Sequence, residues 1–192
     1  MVYLDNAATT KPSEAAIATG DEIMRECYAN PHSLHDFGIS AEKKVEEARK
    51  TVAFAMGVPA DCLYFTSGGT MSDNIAIRGF LSGKKGGRII TSAFEHPAVL
   101  ECFKSLEKTF DVVYVSPDKS GKISAESVLE KVTPDTALVS IMHINNETGA
   151  INEIGEIAEY TKRLGVPFHT DAVQAFLKTP FKYSKVGMAS VS

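Results

Sequence analysis

The run Ala137-Leu138-Val139-Ser140-Ile141-Met142-His143-Ile144 is apolar at consecutive positions, with no alternation of wet and dry side chains. A strand with one solvated face alternates, so a run of this kind suits the middle of a parallel sheet with helices packed on both faces. It belongs to a series of short apolar runs, at 62–66, 88–91, 111–116, 136–143 and 166–170, with a weaker one at 188–192. Between them, helical patterns begin near Thr70, Pro97, Ser124 and Glu153, the last stopping at Gly165 after Leu164. Regular alternation of strand and helix predicts an α/β fold, a mostly parallel sheet with helices on both faces. Two further helices precede it. Residues 12–27 place Ile17, Gly20, Met24 and Cys27 on one helical face behind Pro12. A second pattern takes Ser40 as N-cap, runs through Ala41, Val45, Ala48, Val52 and Met56, and ends at Gly57. Residues 117–124, with Asp118, Lys119 and Gly121, read as an exposed excursion. No repeat, low-complexity tract or Pro-rich linker interrupts the chain.

The composition is that of an ordinary globular protein: 192 residues, 44% hydrophobic and 23% charged. Twenty Lys and Arg against 24 Asp and Glu leave a net charge of −4, which offers no positive field to a nucleic-acid backbone. No stretch reaches the roughly 18 apolar residues that span a bilayer. Met1 leads into Asp5 and Asn6 without a basic-then-apolar leader, so a cytoplasmic protein is expected. Cys27, Cys62 and Cys102 lie too far apart for a Cys-x-x-Cys pair, and their odd number fits buried free thiols.

In open parallel sheets, ligands sit beyond the carboxyl ends of the strands, and that is where the polar residues of this sequence gather. Thr66-Ser67-Gly68-Gly69-Thr70 combines two glycines with the start of a helix, whose unpaired N–H groups suit a phosphate. In Ala93-Phe94-Glu95-His96-Pro97, the proline can occupy a first helical turn and leave His96 at its mouth. His143-Ile144-Asn145-Asn146-Glu147-Thr148-Gly149 and His169-Thr170-Asp171-Ala172-Val173-Gln174 close two further strands. Asp171 follows an apolar strand directly, so its carboxylate should be desolvated and should need a cation, yet no Lys or Arg is adjacent. His143 and His169 fall within strand patterns and read as structural.

A phosphate at one strand end, a flat group beside a histidine, a cationic ring nitrogen facing Asp171, and amides from Asn146 and Gln174 for a ring oxygen together describe pyridoxal 5′-phosphate. Its protonated ring nitrogen, held by a carboxylate, is what makes the ring an electron sink. Nucleotide motifs are absent: there is no Gly-x-Gly-x-x-Gly after a strand, and Ser67-Gly68-Gly69-Thr70 lacks the lysine of a P-loop. His32 and His35 have no third ligand at dedicated spacing except Asp36, so no metal site is expected. A doubly wound domain that binds some other phosphate ligand stands as the blander alternative.

The same residues carry a family likeness. Tyr3-Leu4-Asp5-Asn6-Ala7-Ala8-Thr9-Thr10, Asn30-Pro31-His32-Ser33, the Thr66–Thr70 loop, Glu95-His96, the 143–149 segment and the 169–174 segment together resemble cysteine desulfurases of the class V aminotransferase group. The likeness runs through the whole chain but reaches only the N-terminal half of such an enzyme. It implies the PLP-dependent transferase fold type I, with residues 1–11 belonging to the small domain. Residues 12–192 would be an incomplete large domain that stops before the Schiff-base lysine. It further implies conversion of L-cysteine to L-alanine, with the sulfur left as an enzyme-bound persulfide for iron–sulfur cluster or thiocofactor assembly through an acceptor or scaffold protein. By resemblance, Gly69, Thr70 and Ser192 would hold the cofactor phosphate, and His96 would stack on the ring and move protons as the catalytic residue. Asp171 would pair with the ring nitrogen, while Asn146 and Gln174 would approach the ring hydroxyl and the substrate. Met71 stands where the family commonly has Glu. Neither the lysine nor the nucleophilic cysteine of the family has a counterpart in 1–192, since Lys178, Lys182 and Lys185 precede the last strand pattern. The chain alone is therefore expected to be inactive, to need a complementing C-terminal segment, and to form a homodimer. The alternatives are another class V enzyme, such as a selenocysteine lyase, another amino-acid lyase or an aminotransferase, and a non-catalytic partial copy that serves as an interaction module.

Overall fold

The computed structural model describes residues 1–192, which form two compact units, Met1–Tyr64 and Phe65–Ser192. The first unit holds helices α1 (Glu14–Glu26) and α2 (Asp36–Met56). Ser13 starts α1 by accepting the Ala16 N–H at 3.2 Å, but of the positions that predict this helix Ile17 and Met24 stay exposed, Gly20 and Cys27 are half-buried, and no residue of the helix is buried. Helix α2 begins ahead of the expected Ser40. His35 caps it instead, its Nδ1 accepting the Gly38 N–H at 3.2 Å. Gly38 permits this start, because a Cβ there would lie 2.2 Å from the Ser33 carbonyl oxygen. The other end is as expected, with Gly57 in the left-handed region at φ 72°.

The second unit is built on five strands, β1 (Arg88–Ser92), β2 (Asp111–Val115), β3 (Thr136–Ser140), β4 (Phe168–Asp171) and β5 (Met188–Ser190). They pair in the order β2-β1-β3-β4-β5, every pair parallel. Helices α3 (Gly69–Leu81), α4 (Pro97–Leu106), α5 (Ala125–Leu129) and α6 (Ile154–Arg163) complete it. Right-handed crossovers decide where the helices lie. The chain steps one way from β1 to β2 through α4, then reverses and steps the other way through α5 and α6. Thus α4 falls on one face of the sheet and α5 and α6 on the opposite one.

The core divides accordingly. Ile89 and Leu138 pack with Ile77 and Leu81 of α3 and Val99 and Phe103 of α4. Their strand neighbours Ile90 and Val139 point the other way and pack with Val128 of α5 and Ile154 and Ile157 of α6. This two-sided burial is why the 137–144 run lacks alternation. The excursion at 117–124 is exposed at Asp118, Lys119 and Ser120 but anchors by burying Ile123.

One expected strand is missing from the sheet. Residues 62–66 form no ladder; a short turn of 3-10 helix at Ala60–Cys62 leads into extended chain at Leu63 (φ −104°, ψ 127°). Extended dihedrals are local, whereas a strand also needs a neighbouring backbone to bond, and the apolar run here supplies only the first. Of the three thiols, all free, only Cys102 is buried; Cys62 is exposed and Cys27 lies between. The expectation of three buried cysteines is corrected because Cys27 follows the uncovered helix α1 and Cys62 closes the exposed turn.

Candidate functional site

The strand order reverses between β1 and β3, so the region above the carboxyl ends of β1, β3 and β4 is where a doubly wound sheet places its ligand. Beyond β1, His96 is the N-cap of α4, with Pro97 in the first turn as expected. Its Nδ1 accepts the Ala98 N–H at 3.1 Å, which puts the imidazole proton on Nε2 and leaves that edge of the exposed ring available. The preceding Glu95 is buried. Its carboxyl takes a 2.6 Å bond from the Ser92 hydroxyl and the Met142 N–H at 3.0 Å to both oxygens. Burial drives its pKa up to about 8 against the pull of those bonds, with Asp171 and Asp73 adding repulsion.

Beyond β3, Asn145 organises the loop. Its Oδ1 accepts the N–H groups of Glu147 and Thr148 at 3.0 and 2.8 Å, and its Nδ2 donates to the Phe94 carbonyl at 2.6 Å. One side chain therefore ties the turn that carries Asn146 to the loop that carries His96. At the end of β4, Asp171 is 5% exposed, and its Oδ1 accepts the Val173 N–H at 2.9 Å. No Lys or Arg forms an ion pair with it. Burial raises its pKa, opposed by the Val173 bond and by His96.

Helix α3 supplies the anion-binding end. Gly68 (φ 155°) precedes it and no side chain caps it, so the first-turn N–H groups of Gly69 and Thr70 have no capping side-chain acceptor. A Cβ on Gly69 would come within 3.2 Å of Val173 Cγ2, which shows how closely the start of α3 approaches the loop after Asp171. Gln174 is half-buried, its Oε1 accepting from Lys178 Nζ at 3.0 Å; Ser192 is exposed, just past β5. The structure thus gathers Gly69, Thr70, His96, Asn146, Asp171 and Gln174 at one end of the sheet, with Ser192 on the adjoining strand end. A buried carboxylate without a cation, beside an uncapped helix start, fits a ligand that carries a positive ring nitrogen and a phosphate.

A profile of the aminotransferase class-V family matches residues 2–192. The chain belongs to the class-V aminotransferase family. Members of this family are PLP-dependent. Among its class-V relatives, cysteine desulfurase IscS of Dictyoglomus turgidum is 41% identical over 100% of this chain and 49% of its own length. Cysteine desulfurase IscS of Methanosarcina thermophila is 41% identical over 100% of this chain and 48% of its own. The chain therefore spans about half the length of the curated relatives it matches. Two solved structures superpose closely. "SspA in complex with cysteine" gives a TM-score of 0.94 at 34% identity, covering 99% of this chain and 56% of that one. "NifS-like protein" gives 0.94 at 38% identity, covering 100% and 54%.

Two buried carboxyl groups near this candidate site are not singled out by the sequence. Asp73, on α3, is 1% exposed, and burial together with Asp171 raises its pKa to about 7. Its signal was available: a carboxylate at the buried position of an amphipathic helix. Glu95 was quoted only as part of a motif. His143 and His169 are structural, as expected. His143 packs edge-on against Phe181 and Tyr183, and His169 bonds to two buried serines. No helix of the chain is long and apolar enough to cross a membrane.

Proposed function

We propose that residues 1–192 are the cofactor-binding half of a PLP-dependent cysteine desulfurase. Gly69 and Thr70 would hold the phosphate through their N–H groups, with the Ser192 hydroxyl beside them. Asp171 would keep the ring nitrogen protonated. Asn146 and Gln174 would address the ring hydroxyl and the substrate, and His96, with its proton on Nε2, would lie over the ring and exchange protons there. The cofactor, when bound, supplies an electron sink for the carbanion next to the substrate's carboxylate. The overall change would break the Cβ–S bond of L-cysteine, release L-alanine and leave the sulfur on an enzyme thiol as a persulfide, for transfer to an acceptor or scaffold protein.

The chain's own contribution is placement and polarity. Asp171 is held by Val173 in a site dry enough to favour a cation, and Asn145 fixes the loops of His96 and Asn146 relative to one another. Lys178, which bonds to Gln174, and the exposed Lys182 and Lys185 all precede β5, so none of them is assigned as the Schiff-base lysine. That lysine and the nucleophilic thiol would come from a complementing segment in a homodimeric, cytoplasmic enzyme. Residues 1–11 would join a small domain, and 12–192 would form the large one.

The observation that carries the proposal is the buried, cation-free carboxylate of Asp171 next to the uncapped start of α3. Titration of the protein with pyridoxal phosphate should give a saturable absorbance change, and Asp171→Ala should weaken binding by about a hundredfold or more, as for other broken buried ion pairs. Equal binding by Asp171→Ala, with an unchanged melting curve, would contradict it.

A further inference from the structure

Beneath the site lies a buried polar chain that the proposed chemistry does not use. Ser140 of β3, His169 of β4, Ser190 of β5 and Asp73 of α3 are each at most 1% exposed. Ser140 Oγ lies 2.8 Å from His169 Nδ1, and Ser190 Oγ lies 3.1 Å from His169 Nε2. Asp73 Oδ1, which has no hydrogen bond, sits 3.6 Å from the same Nε2, and the neighbouring Ser190 hydroxyl pulls the Asp73 pKa down against burial.

The donors can be ordered. Ionised Asp73 only accepts, and its Oδ1 faces His169 Nε2, so the imidazole proton belongs on Nε2, between Asp73 and the Ser190 hydroxyl oxygen. Nδ1 is then unprotonated and accepts from the Ser140 hydroxyl. Burial keeps the imidazole neutral, its pKa lowered to about 4, which suits a ring that donates at one nitrogen and accepts at the other. The cluster runs from Ser140 to His169 and from its Nε2 to Ser190 and Asp73, all on the α3 side of the sheet.

Three of these four residues lie about one structural repeat from a residue of the proposed site. Side chains two apart on a strand share a face, as do those three or four apart on a helix. His169 stands behind Asp171, Ser190 behind Ser192, and Asp73 behind Gly69 and Thr70. The chain therefore joins the three elements that would hold the ring nitrogen and the phosphate.

We propose that Asp73, Ser190 and His169 form a positioning brace that sets the separation between the phosphate-binding start of α3 and the carboxylate of Asp171. The inference rests on the cofactor reading above and adds that Asp73 is a positioning residue for both ends of that cofactor. Its test compares the dissociation constants of pyridoxal phosphate and pyridoxal, the latter lacking the phosphate, for the full chain and for Asp73→Ala, Asp73→Asn and Ser190→Ala. Melting curves accompany each variant. Misaligned ends should forfeit the phosphate's advantage, so the preference for pyridoxal phosphate over pyridoxal falls about tenfold in Asp73→Ala and Ser190→Ala. Asp73→Asn, which retains an acceptor oxygen beside Ser190, keeps most of it. Ser190→Ala removes one oxygen and keeps the test open should Asp73→Ala fold poorly.

NMR of isotope-labelled imidazoles, on cofactor-free protein, supplies a second readout. His169 should carry its proton on Nε2 at neutral pH and should lose that signature's hydrogen-bonded shift in Ser190→Ala. An unchanged preference in both well-folded variants, or a proton on Nδ1 of His169, would overturn the brace. Absence of any phosphate-dependent binding by the parent chain would instead sink the cofactor reading, while the imidazole spectrum still decides whether the brace exists.

Discussion

Asp73, Glu95 and His169 are buried titratable groups, and their shifts oppose one another in a way that pH can separate. Asp73 rises from 3.8 to about 7 and Glu95 from 4.5 to about 8. Above the unfolded carboxylate values, the folded protein therefore holds protons that the unfolded chain has released, and stability from these two falls as pH rises toward 7 and 8. His169 is lowered from 6.5 to about 4. Its unfolded form gains a proton as pH drops below 6.5 while the folded form does not, so it lowers stability on the acid side. Burial also raises Asp171 and lowers His143, so three groups act against two, and the melting temperature of the cofactor-free protein should decline from about pH 5 to about pH 8. Glu95→Gln should flatten the upper part of that decline, and a melting temperature that climbs steadily over the interval would contradict the assignment. Asp171 was legible in the sequence because it ends an apolar strand outright. Asp73 was not, since helical periodicity marks a position as buried without saying which strand residues face it.

Helix α2 shows how one glycine fixes an element's start. Gly38→Ala would drive a Cβ into the Ser33 carbonyl oxygen and should cost about 1–3 kcal/mol, as overpacking does, measurable by urea unfolding. Gly69→Val probes a different element: its branched side chain would meet Val173 Cγ2, already 3.2 Å from a bare Cβ. Loss of pyridoxal phosphate affinity with pyridoxal affinity preserved is the expected result, and equal loss of both would show that the α3 start is not specific to the phosphate. Strands and helices after residue 86 were readable because each apolar run is bounded by glycines, prolines or capping serines. The start of α2 was hidden because a histidine takes the place of the usual serine or aspartate cap. The 62–66 strand was over-read, since composition reports apolar character but not whether a partner backbone lies alongside.

For the molecule as a whole, sequence supplied the α/β class but not the strand order, which depends on where the crossovers reverse. The junction of the two units is directly testable. Tyr64 and Phe65 are 81% and 53% exposed and lie outside helix and strand, so brief chymotrypsin digestion should cut there early and leave the 65–192 sheet intact by circular dichroism. Resistance at this point, with cleavage inside α2 instead, would contradict the division. The position of Glu95 has its own consequence for the sheet. In an open doubly wound sheet, the gap between the two strands where the order reverses is a natural slot for a ligand to sink into. Here the Glu95 carboxyl spans that gap from the end of β1 to the Met142 N–H after β3 and plugs it. A molecule entering there would meet the Glu95 carboxyl, and shortening this plug to alanine should open a small wet hole between the two strand ends.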